Sequence, residues 1–379
     1  MQDVHLQAAR DLRALIDRNA IEADGAPMPR ASVDALAAAG LFGVMTPRDL
    51  GGSELSLLEC IDVFAEVARA DGSAGWCLMA AASAIAYFGA YCPDEFVDEV
   101  FRDGVPLAAG QFFPNGTAAL QGDGYRVSGQ YQFGSGINHA EWVALGAVTT
   151  PSNGGDAATM VCALIPADRV DIRGNWDVLG LQGTASYDYE VSDLHVPSAA
   201  TFELLAPVRR RGGPVYELGV IPLTAVGHAG FAIGVVQRAL DELRVVAASK
   251  HRMGAPSSLA DSEYFLQALG TLEGRFRAGL AWVRESFGAM ERSAIETGGA
   301  GPLLVNAVRQ ATVHVTQDGA AIVQEAYRLA GTSALRRGPI ERCFRDIHAG
   351  SQHFFASPTP TLDFARDLLA AAPESALDA

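Results

Sequence analysis

The sequence predicts an α+β protein in three parts: an N-terminal α-helical domain over residues 1–107, a central β domain over 108–206 and a C-terminal four-helix bundle over 207–379. Three observations predict this. Apolar residues recur at helical spacing before residue 100 and again after residue 214. Between them the helical period disappears, and short β-branched runs are bounded by Gly, Pro, Asn and Asp. The chain of 379 residues is 49% hydrophobic, which is enough for a large core.

The N-terminal part shows three clear helical patterns, over residues 31–39, 55–70 and 74–88. Glycine and proline interrupt the pattern at Gly40, Gly51, Gly52 and Pro93. We therefore expect several short helices rather than one long one.

The central part contains strand-like runs at 125–128, 142–148, 160–165 and 189–196. After it, residues 206–214 carry three arginines flanked by Pro and Gly, a composition typical of a linker.

The C-terminal part predicts helices over 218–249, 262–297, 302–329 and, more briefly, 341–350. The first of them holds spaced glycines at Gly227, Gly230 and Gly234. In a helical pattern such spacing indicates close helix packing rather than a dinucleotide-binding turn.

Charge and cysteine usage narrow the class of partner. The net charge of −16 and pI near 4.9 argue against nucleic acid and anionic membranes, because the averaged surface field repels both. Five scattered cysteines without a CxxC pair indicate reduced, buried thiols and a cytoplasmic protein. We expect no signal peptide and no apolar run long enough to span a membrane.

Several cofactor motifs are absent from the sequence. No GxGxxG follows a predicted strand, so no nicotinamide site is expected, and no GxxxxGK[ST], HExxH or Cys/His cluster occurs. Metal and nucleoside-triphosphate chemistry are therefore not expected.

Four motifs carry a resemblance to a known family. They are PRDLGG at 47–52, DGSAGW at 71–76, VLGLQGTAS at 178–186 and the Arg345-Asp346 pair. In this order they resemble the acyl-CoA dehydrogenase superfamily, whose fold implies an N-terminal helical domain, a β-barrel-like central domain and a four-helix bundle. The Gly-Ser-x-Gly-Trp turn, the 111–116 segment and the C-terminal histidines look most like its oxygenase branch, which includes p-hydroxyphenylacetate hydroxylase and dibenzothiophene monooxygenase.

The two branches differ in one catalytic group. An acyl-thioester dehydrogenase needs a carboxylate that removes a proton while its FAD takes a hydride. The two positions where the family carries that Glu fall at 353–356 and 221–224, which hold no acid. Glu217 lies close enough in sequence to keep the dehydrogenase as an alternative. A catalytically inactive binding relative is a third.

The oxygenase resemblance implies a two-component monooxygenase. It would use reduced FMN or FADH2 from a separate NAD(P)H-flavin reductase, with O2 as co-substrate, and hydroxylate an aromatic or heteroatom-bearing small molecule through a C4a-hydroperoxyflavin. The resemblance places the Ser135 side-chain oxygen beside flavin N5 and Phe133 against the ring. A serine in a turn can instead bond only to its own backbone.

Two C-terminal histidines compete for the catalytic position. His348 and His353 are about 140° apart around a continuous helix, so only one would face the pocket. The resemblance selects His353, as the base that deprotonates a phenol-like substrate or as the group that holds the peroxide. Either histidine could instead bond across the bundle. His139 is a secondary candidate.

The remaining assignments are weaker. The resemblance implies that Gln111, Phe112 and Phe113 line the flavin ring. It implies that Arg252, Gly331 and Thr332 lie near the flavin phosphate. It also implies a homotetramer or dimer, in which a neighbouring subunit supplies part of the phosphate site. Lys250 and Arg252 could equally be favourable charges at a helix C-terminus. Aromatic residues that could shape a substrate pocket, or else belong to the core, are Trp76, Tyr216 and Phe265.

Overall fold

A computed structural model describes residues 4–150, 157–250 and 258–371, and these contain ten α-helices and seven β-strands. The helices are α1 Val4–Ala23, α2 Arg30–Ala38, α3 Leu57–Ala70, α4 Gly72–Tyr91, α5 Asp94–Val100, α6 Val220–Ser249, α7 Glu263–Thr297, α8 Pro302–Ala330, α9 Pro339–Gly350 and α10 Thr359–Ala370. The strands are β1 Ala108–Gln121, β2 Gly124–Gly134, β3 Trp142–Thr150, β4 Met160–Pro166, β5 Asp171–Ile172, β6 Tyr187–Pro197 and β7 Thr201–Glu203. The expected order of helices, sheet and helices is confirmed.

Capping residues set the boundary between α3 and α4, the two helices that carry the DGSAGW motif. Ser56 and Glu59 form a capping box at the start of α3. Asp71 ends α3 in extended backbone and caps α4, because its carboxylate accepts the Ala74 N–H at 2.9 Å. A single residue thus turns the chain between two buried helices.

The seven strands form one mixed sheet in the order β5-β6-β2-β1-β3-β4-β7. The β1–β3 pair is parallel and the other neighbours are antiparallel. β1 loses its register between Gln111 and Gly116. Such a bulge turns side chains away from the regular alternation, and it falls on the segment expected to contact flavin.

The helices before and after the sheet share one hydrophobic core, whereas the sheet has a second. α3 packs tightly on α6: a Cβ on Gly230 would lie 2.7 Å from the Phe64 Cβ, and one on Gly234 would lie 2.2 Å from the Ala65 carbonyl oxygen. The expectation that the spaced glycines allow close packing is confirmed.

The structure corrects the expectation about apolar runs. Two helices, Gly72–Tyr91 and Val220–Ser249, are long and apolar enough to cross a membrane by length and composition. Their most apolar windows are 94% and 83% buried within the protein. Burial on all sides explains their composition, since a core helix needs no polar face.

The arginine-rich segment 206–214, which the sequence predicts as a linker, forms hydrogen bonds with the C-terminal end of α4. The Arg210 N–H donates to the Ala90 carbonyl at 2.8 Å, and the Arg211 guanidinium donates to the carbonyls of Gly89 and Cys92 at 3.0 and 2.6 Å. These carbonyls belong to the end of α4, where cations are favourable. The linker therefore caps α4 on its way to α6.

Candidate functional site

Ser135 lies in a tight turn directly after β2. Phe133 and Gly136 on either side adopt left-handed backbone, with φ of 65° and 73°. The Ser135 N–H donates to the Phe133 carbonyl at 2.8 Å. The Ser135 side chain is buried, with a relative exposure of 7%, and points into the protein. Left-handed backbone is uncommon at a non-glycine residue such as Phe133, so the turn has a defined conformation that directs the Ser135 side chain.

The Trp76 indole of α4 joins Ser135 to the imidazoles. Its Nε1–H donates to the Ser135 Oγ at 3.1 Å. The edges of its ring meet His353 at 5.5 Å and His228 at 5.1 Å between centroids. The sequence placed Trp76 only as a weak pocket residue, but the structure places it at the centre of this cluster, which we call the Trp76 cluster.

His353 does not lie on a helix, which corrects the helical-wheel argument. α9 ends at Gly350, and the His353 N–H donates to the Gly350 carbonyl in the turn that follows. The His353 Nδ1 accepts the Phe355 N–H at 3.3 Å. An accepting Nδ1 carries no hydrogen, so the hydrogen of the neutral ring is on Nε2. Burial lowers the pKa of His353 to about 4, which keeps the ring neutral near pH 7.

His228 of α6 belongs to the Trp76 cluster but is not among the residues that the sequence predicts for the site. Its ring stacks on that of His353 at 4.2 Å and on that of Phe355 at 4.9 Å. Burial, and secondarily His353, lowers the pKa of His228 well below its usual range. Its signal in the sequence is a single histidine between small residues in an apolar helix, a pattern that does not distinguish it from a core residue.

The turn before β6 supplies two further hydroxyls. Ser186 Oγ lies 2.8 Å from Ser135 Oγ, and Thr184 Oγ1 lies 2.6 Å from Ser186 Oγ. Leu181 and Ala185, which flank this turn, both have left-handed backbone. The last residues of the VLGLQGTAS motif, which in the sequence carries only the family resemblance, thus contact Ser135.

Asp346 of α9 anchors this turn. Its Oδ1 accepts the Leu181 N–H at 2.7 Å, and a Cβ on Gly72 would lie 2.6 Å from its Oδ2. Burial and the neighbouring Asp71 raise the pKa of Asp346 to about 7, against the opposing Leu181 N–H and two arginines.

The other two histidines bond elsewhere. The His348 Nδ1 is 2.9 Å from the Phe344 carbonyl, and its ring lies 4.4 Å from the Phe344 ring. His348 therefore bonds within α9 rather than across the bundle. The His139 Nε2 lies 2.8 Å from the Met28 carbonyl, so this ring holds the loop between α1 and α2. His139 is therefore placed as a loop contact, outside the ring contacts of the Trp76 cluster.

The expected flavin-lining aromatics differ in their surroundings. Phe133 and Phe113 are exposed, at 56% and 63%, and the Phe133 ring meets the Trp176 ring edge-on at 6.2 Å. Phe112 instead packs into the core against Tyr87 and Phe202. The Gln111 N–H donates to the Tyr189 hydroxyl at 2.8 Å.

Tyr216 and Phe265, the other weak pocket candidates, are core residues. Tyr216 is 2% exposed and Phe265 1%. The Tyr216 hydroxyl donates to the Met45 carbonyl, and its own carbonyl accepts the Tyr91 hydroxyl at 2.7 Å. Both residues therefore fit the alternative that they belong to the hydrophobic core rather than to a substrate pocket.

Gly331 and Thr332 follow α8 and lie beside Lys250. The Lys250 Nζ donates to the Ala330 carbonyl at 2.5 Å and lies 3.5 Å from the Thr332 hydroxyl. Gly331 has φ 55° and ψ −135°, a combination that favours glycine. Lys250 thus caps α8, while Arg252 lies outside the described residues.

Glu217, the acid that keeps the dehydrogenase as an alternative, forms an ion pair with Arg209. The Glu217 carboxylate accepts from the Arg209 guanidinium at 2.6 Å, and both side chains are more than a third exposed.

A cavity of about 300 Å³ borders Asp346 and the turn at Gln182, between the α1–α2 loop and the start of α9. Its charged wall groups are mostly paired: Arg342 contacts Asp71 at 3.3 Å, and the Arg345 guanidinium donates to Glu341. The Trp76 cluster, by contrast, combines a buried hydroxyl with two imidazoles whose pKa values are lowered by burial.

Characterised relatives align with most of the chain. Indole-3-acetate monooxygenase of Pseudomonas putida is 27% identical over 334 residues, 85% of this chain and 82% of the relative. The flavin-dependent monooxygenase oxygenase subunit HsaA of Rhodococcus jostii strain RHA1 is 26% identical, over 87% of this chain and 88% of the relative.

Solved structures share the fold. XiaF from a Streptomyces species, in complex with FADH2 and glycerol, superposes with a TM-score of 0.88 at 19% identity, over 98% of this chain and 96% of XiaF. TdsC from Paenibacillus sp. A11-2, with FMN and indole, superposes with a TM-score of 0.81 at 22% identity, over 98% and 97%.

Two family models match either side of the sheet. The acyl-CoA dehydrogenase N-terminal domain matches residues 5–95, and the acyl-CoA dehydrogenase C-terminal domain matches residues 226–358. Together with the fold, these matches show that the chain belongs to the acyl-CoA dehydrogenase family.

Proposed function

We propose that this protein is the oxygenase component of a two-component flavin-dependent monooxygenase. It takes reduced FMN or FADH2 from a separate reductase and uses O2 to hydroxylate an aromatic or heteroatom-bearing small molecule. The names of the relatives support the reaction class, since those cited are monooxygenases or oxygenase subunits. XiaF is described with FADH2 and TdsC with FMN, which supports reduced flavin and leaves the choice between the two open.

The observation that carries the proposal is the placement of Ser135 and His353 on one indole. Trp76 holds the hydroxyl by a hydrogen bond and meets the imidazole with its ring edge. A hydroxyl and a neutral N–H on one apolar wall fit a reaction that must exclude water and bind oxygen atoms. When bound, the reduced flavin supplies the electrons that activate O2.

The residues beside Ser135 fit a flat aromatic group. The left-handed backbone at Phe133 directs its ring outward, and Trp176 supports that ring from its edge. Phe133 and Ser135 would hold the ring system, with Gln111 and Phe113 at the bulge of β1. We propose Arg252, Gly331 and Thr332 for the phosphate, partly from a neighbouring subunit.

His353 acts in this proposal as a hydrogen-bond donor. Its Nδ1 accepts a backbone N–H, so its Nε2–H is the group that it can present to an oxygen atom of the substrate or of O2. Removing a substrate proton would require the opposite tautomer. Of the two roles expected for His353, the geometry therefore favours holding an oxygen species.

The alternatives are less well supported. A thioester dehydrogenase needs a carboxylate near the reacting carbon, and Glu217 is paired with Arg209 in a partly exposed position. An inactive binding relative would not need the buried Ser135 side chain and the uncommon left-handed backbone at Phe133.

We propose a cytoplasmic location and a homotetramer or dimer. All five cysteines are free and buried, which supports a reducing compartment. The division at residues 107 and 206 is retained as a proposal for the domain boundaries.

The test is an anaerobic one. Purified protein is mixed with chemically reduced FMN or FADH2, pulsed with oxygenated buffer and followed by absorbance, with and without indole-type and phenol-type substrates. We expect slow reappearance of oxidised flavin and a hydroxylated product. Oxidation at the rate of free flavin, without product, would contradict the proposal, and turnover of acyl-CoA thioesters would favour the dehydrogenase. In the His353→Ala variant we expect hydroxylation to fall by roughly one to several powers of ten with flavin binding retained.

A further inference from the structure

Four side chains form a continuous chain of hydrogen bonds that begins at Trp76. Trp76 Nε1 is 3.1 Å from Ser135 Oγ, which is 2.8 Å from Ser186 Oγ. Ser186 Oγ is 2.6 Å from Thr184 Oγ1, which is 2.8 Å from the Leu181 carbonyl. The three hydroxyl residues are buried, at 7%, 3% and 1% exposure.

The two ends of this chain set the direction of every hydrogen in it. An indole N–H can only donate, and a carbonyl can only accept. The Thr184 hydroxyl must therefore give its hydrogen to Leu181, which leaves its oxygen to accept from Ser186. Ser186 has then used its hydrogen and must accept from Ser135.

Ser135 is left in a defined state. Its hydrogen is committed to Ser186, one lone pair accepts from Trp76, and a second lone pair is free. The hydroxyl can thus accept one more hydrogen bond but cannot donate one without breaking the chain.

The two redox forms of flavin differ at the atom proposed to face Ser135. Reduced flavin carries an N5–H donor, whereas oxidised flavin has at N5 only an acceptor. The geometry points to Ser186 and Thr184 as positioning residues that fix Ser135 as an acceptor and so make the site select reduced flavin over oxidised flavin. This inference rests on the proposed function, which places the flavin ring at Ser135.

The backbone supports this polarity. Left-handed Leu181 and Ala185 flank the turn that presents Thr184, and the Thr184 carbonyl accepts the Gly136 N–H at 2.8 Å. The Leu181 carbonyl also accepts the Trp176 indole N–H at 3.0 Å, so the acceptor end is held in place. Reversal of the chain would leave that end without the Thr184 hydrogen.

Two substitutions test the inference through binding alone. Ser186→Ala frees the Ser135 hydrogen to turn toward N5. Thr184→Val removes the acceptor of Ser186, so that the Ser186 hydrogen can turn toward Ser135 and reverse the bond between them. Each variant should improve binding of oxidised relative to reduced flavin by roughly 5- to 10-fold, the worth of about one hydrogen bond.

The dissociation constants of oxidised FMN and FAD are measured by fluorescence, and those of the reduced forms by anaerobic titration. Thr184→Ser, which keeps the hydroxyl, should restore the wild-type ratio, and Ser286→Ala serves as a buried-serine control in α7. Thermal unfolding confirms that each variant is folded, and Thr184→Val carries the test if Ser186→Ala does not fold.

The outcomes separate the two claims. Failure of the wild-type protein to bind reduced flavin overturns the proposed function and this inference with it. Tight binding of reduced flavin, with a ratio unchanged within twofold in Ser186→Ala and Thr184→Val, overturns this inference alone. A ratio that shifts in both variants and recovers in Thr184→Ser supports it.

Discussion

Replacement of His353 by glutamine would test the buried neutral imidazole through folding stability. Burial lowers the pKa of His353 from its ordinary value near 6.5 to about 4. The unfolded chain therefore binds a proton at His353 as the pH falls through 6.5, while the folded protein does not. Stability is lost as the pH falls through this window and is retained above it.

The magnitude follows from those two values. For a pKa of about 6.5 unfolded and about 4 folded, linkage gives a loss of about 2 kcal/mol in the free energy of unfolding between pH 7.5 and pH 5.0. Glutamine cannot take up the proton, so His353→Gln should lose about 2 kcal/mol less than wild type over this interval. His228 is present in both proteins, and burial, the main cause of its lowered pKa, remains in the variant.

Equilibrium urea unfolding at the two pH values provides the measurement. His353→Gln is expected to start less stable at pH 7.5, because it loses the stack on His228 and the Phe355 N–H acceptor, and then to fall less steeply. Between pH 7.5 and 9.0 the two curves should run parallel. A loss from pH 7.5 to 5.0 equal to that of wild type would refute the buried, neutral state of His353.

Two further predictions concern residues around the cluster. Ser135→Ala should divert electrons from product to hydrogen peroxide, because flavin N5 loses its hydrogen-bond acceptor; the ratio of product to peroxide measures this, and an unchanged ratio removes the role. In Asp346, whose pKa is raised to about 7, the folded state binds the extra proton, so stability declines as the pH rises from about 4 to 7. Asp346→Asn keeps the acceptor for the Leu181 N–H and should flatten that decline in urea midpoints at pH 5 and 8, whereas an identical decline would contradict the raised pKa.

Most of the fold could be predicted because its elements have strong local signals. The long helices of the bundle appear within two residues of the sequence expectation, since apolar period and Gly or Pro boundaries agree there. The sequence does not predict β1 as a strand. Its 14 residues include Gly110, Pro114 and Gly116 and a loss of register, which together remove the alternation of apolar and polar residues that marks a strand.

The candidate site was less predictable, for a physical reason. Ser135 and His353 came from family resemblance, but their connection through Trp76 depends on three segments more than 50 residues apart that meet only in the folded core. His228 looked like an ordinary residue of an apolar helix. Its role as a stacking partner of His353 is a tertiary contact, which periodicity cannot report.

The position of His353 follows from how closely α9 packs. A Cβ on Gly350 would lie 2.4 Å from the Phe231 ring and 3.3 Å from the Trp76 ring. The end of α9 therefore packs directly against the Trp76 cluster, and a larger side chain at Gly350 would not fit. The helix ends at that residue, and the next turn carries His353 against the same indole. At its other side the indole donates to Ser135. Because α4, α6 and α9 share one core, the packing that stabilises the helices also fixes the hydroxyl and the imidazole relative to each other. The geometry of the site is therefore a property of the core, and substitutions that loosen Gly350 or Trp76 act on stability and on the site together.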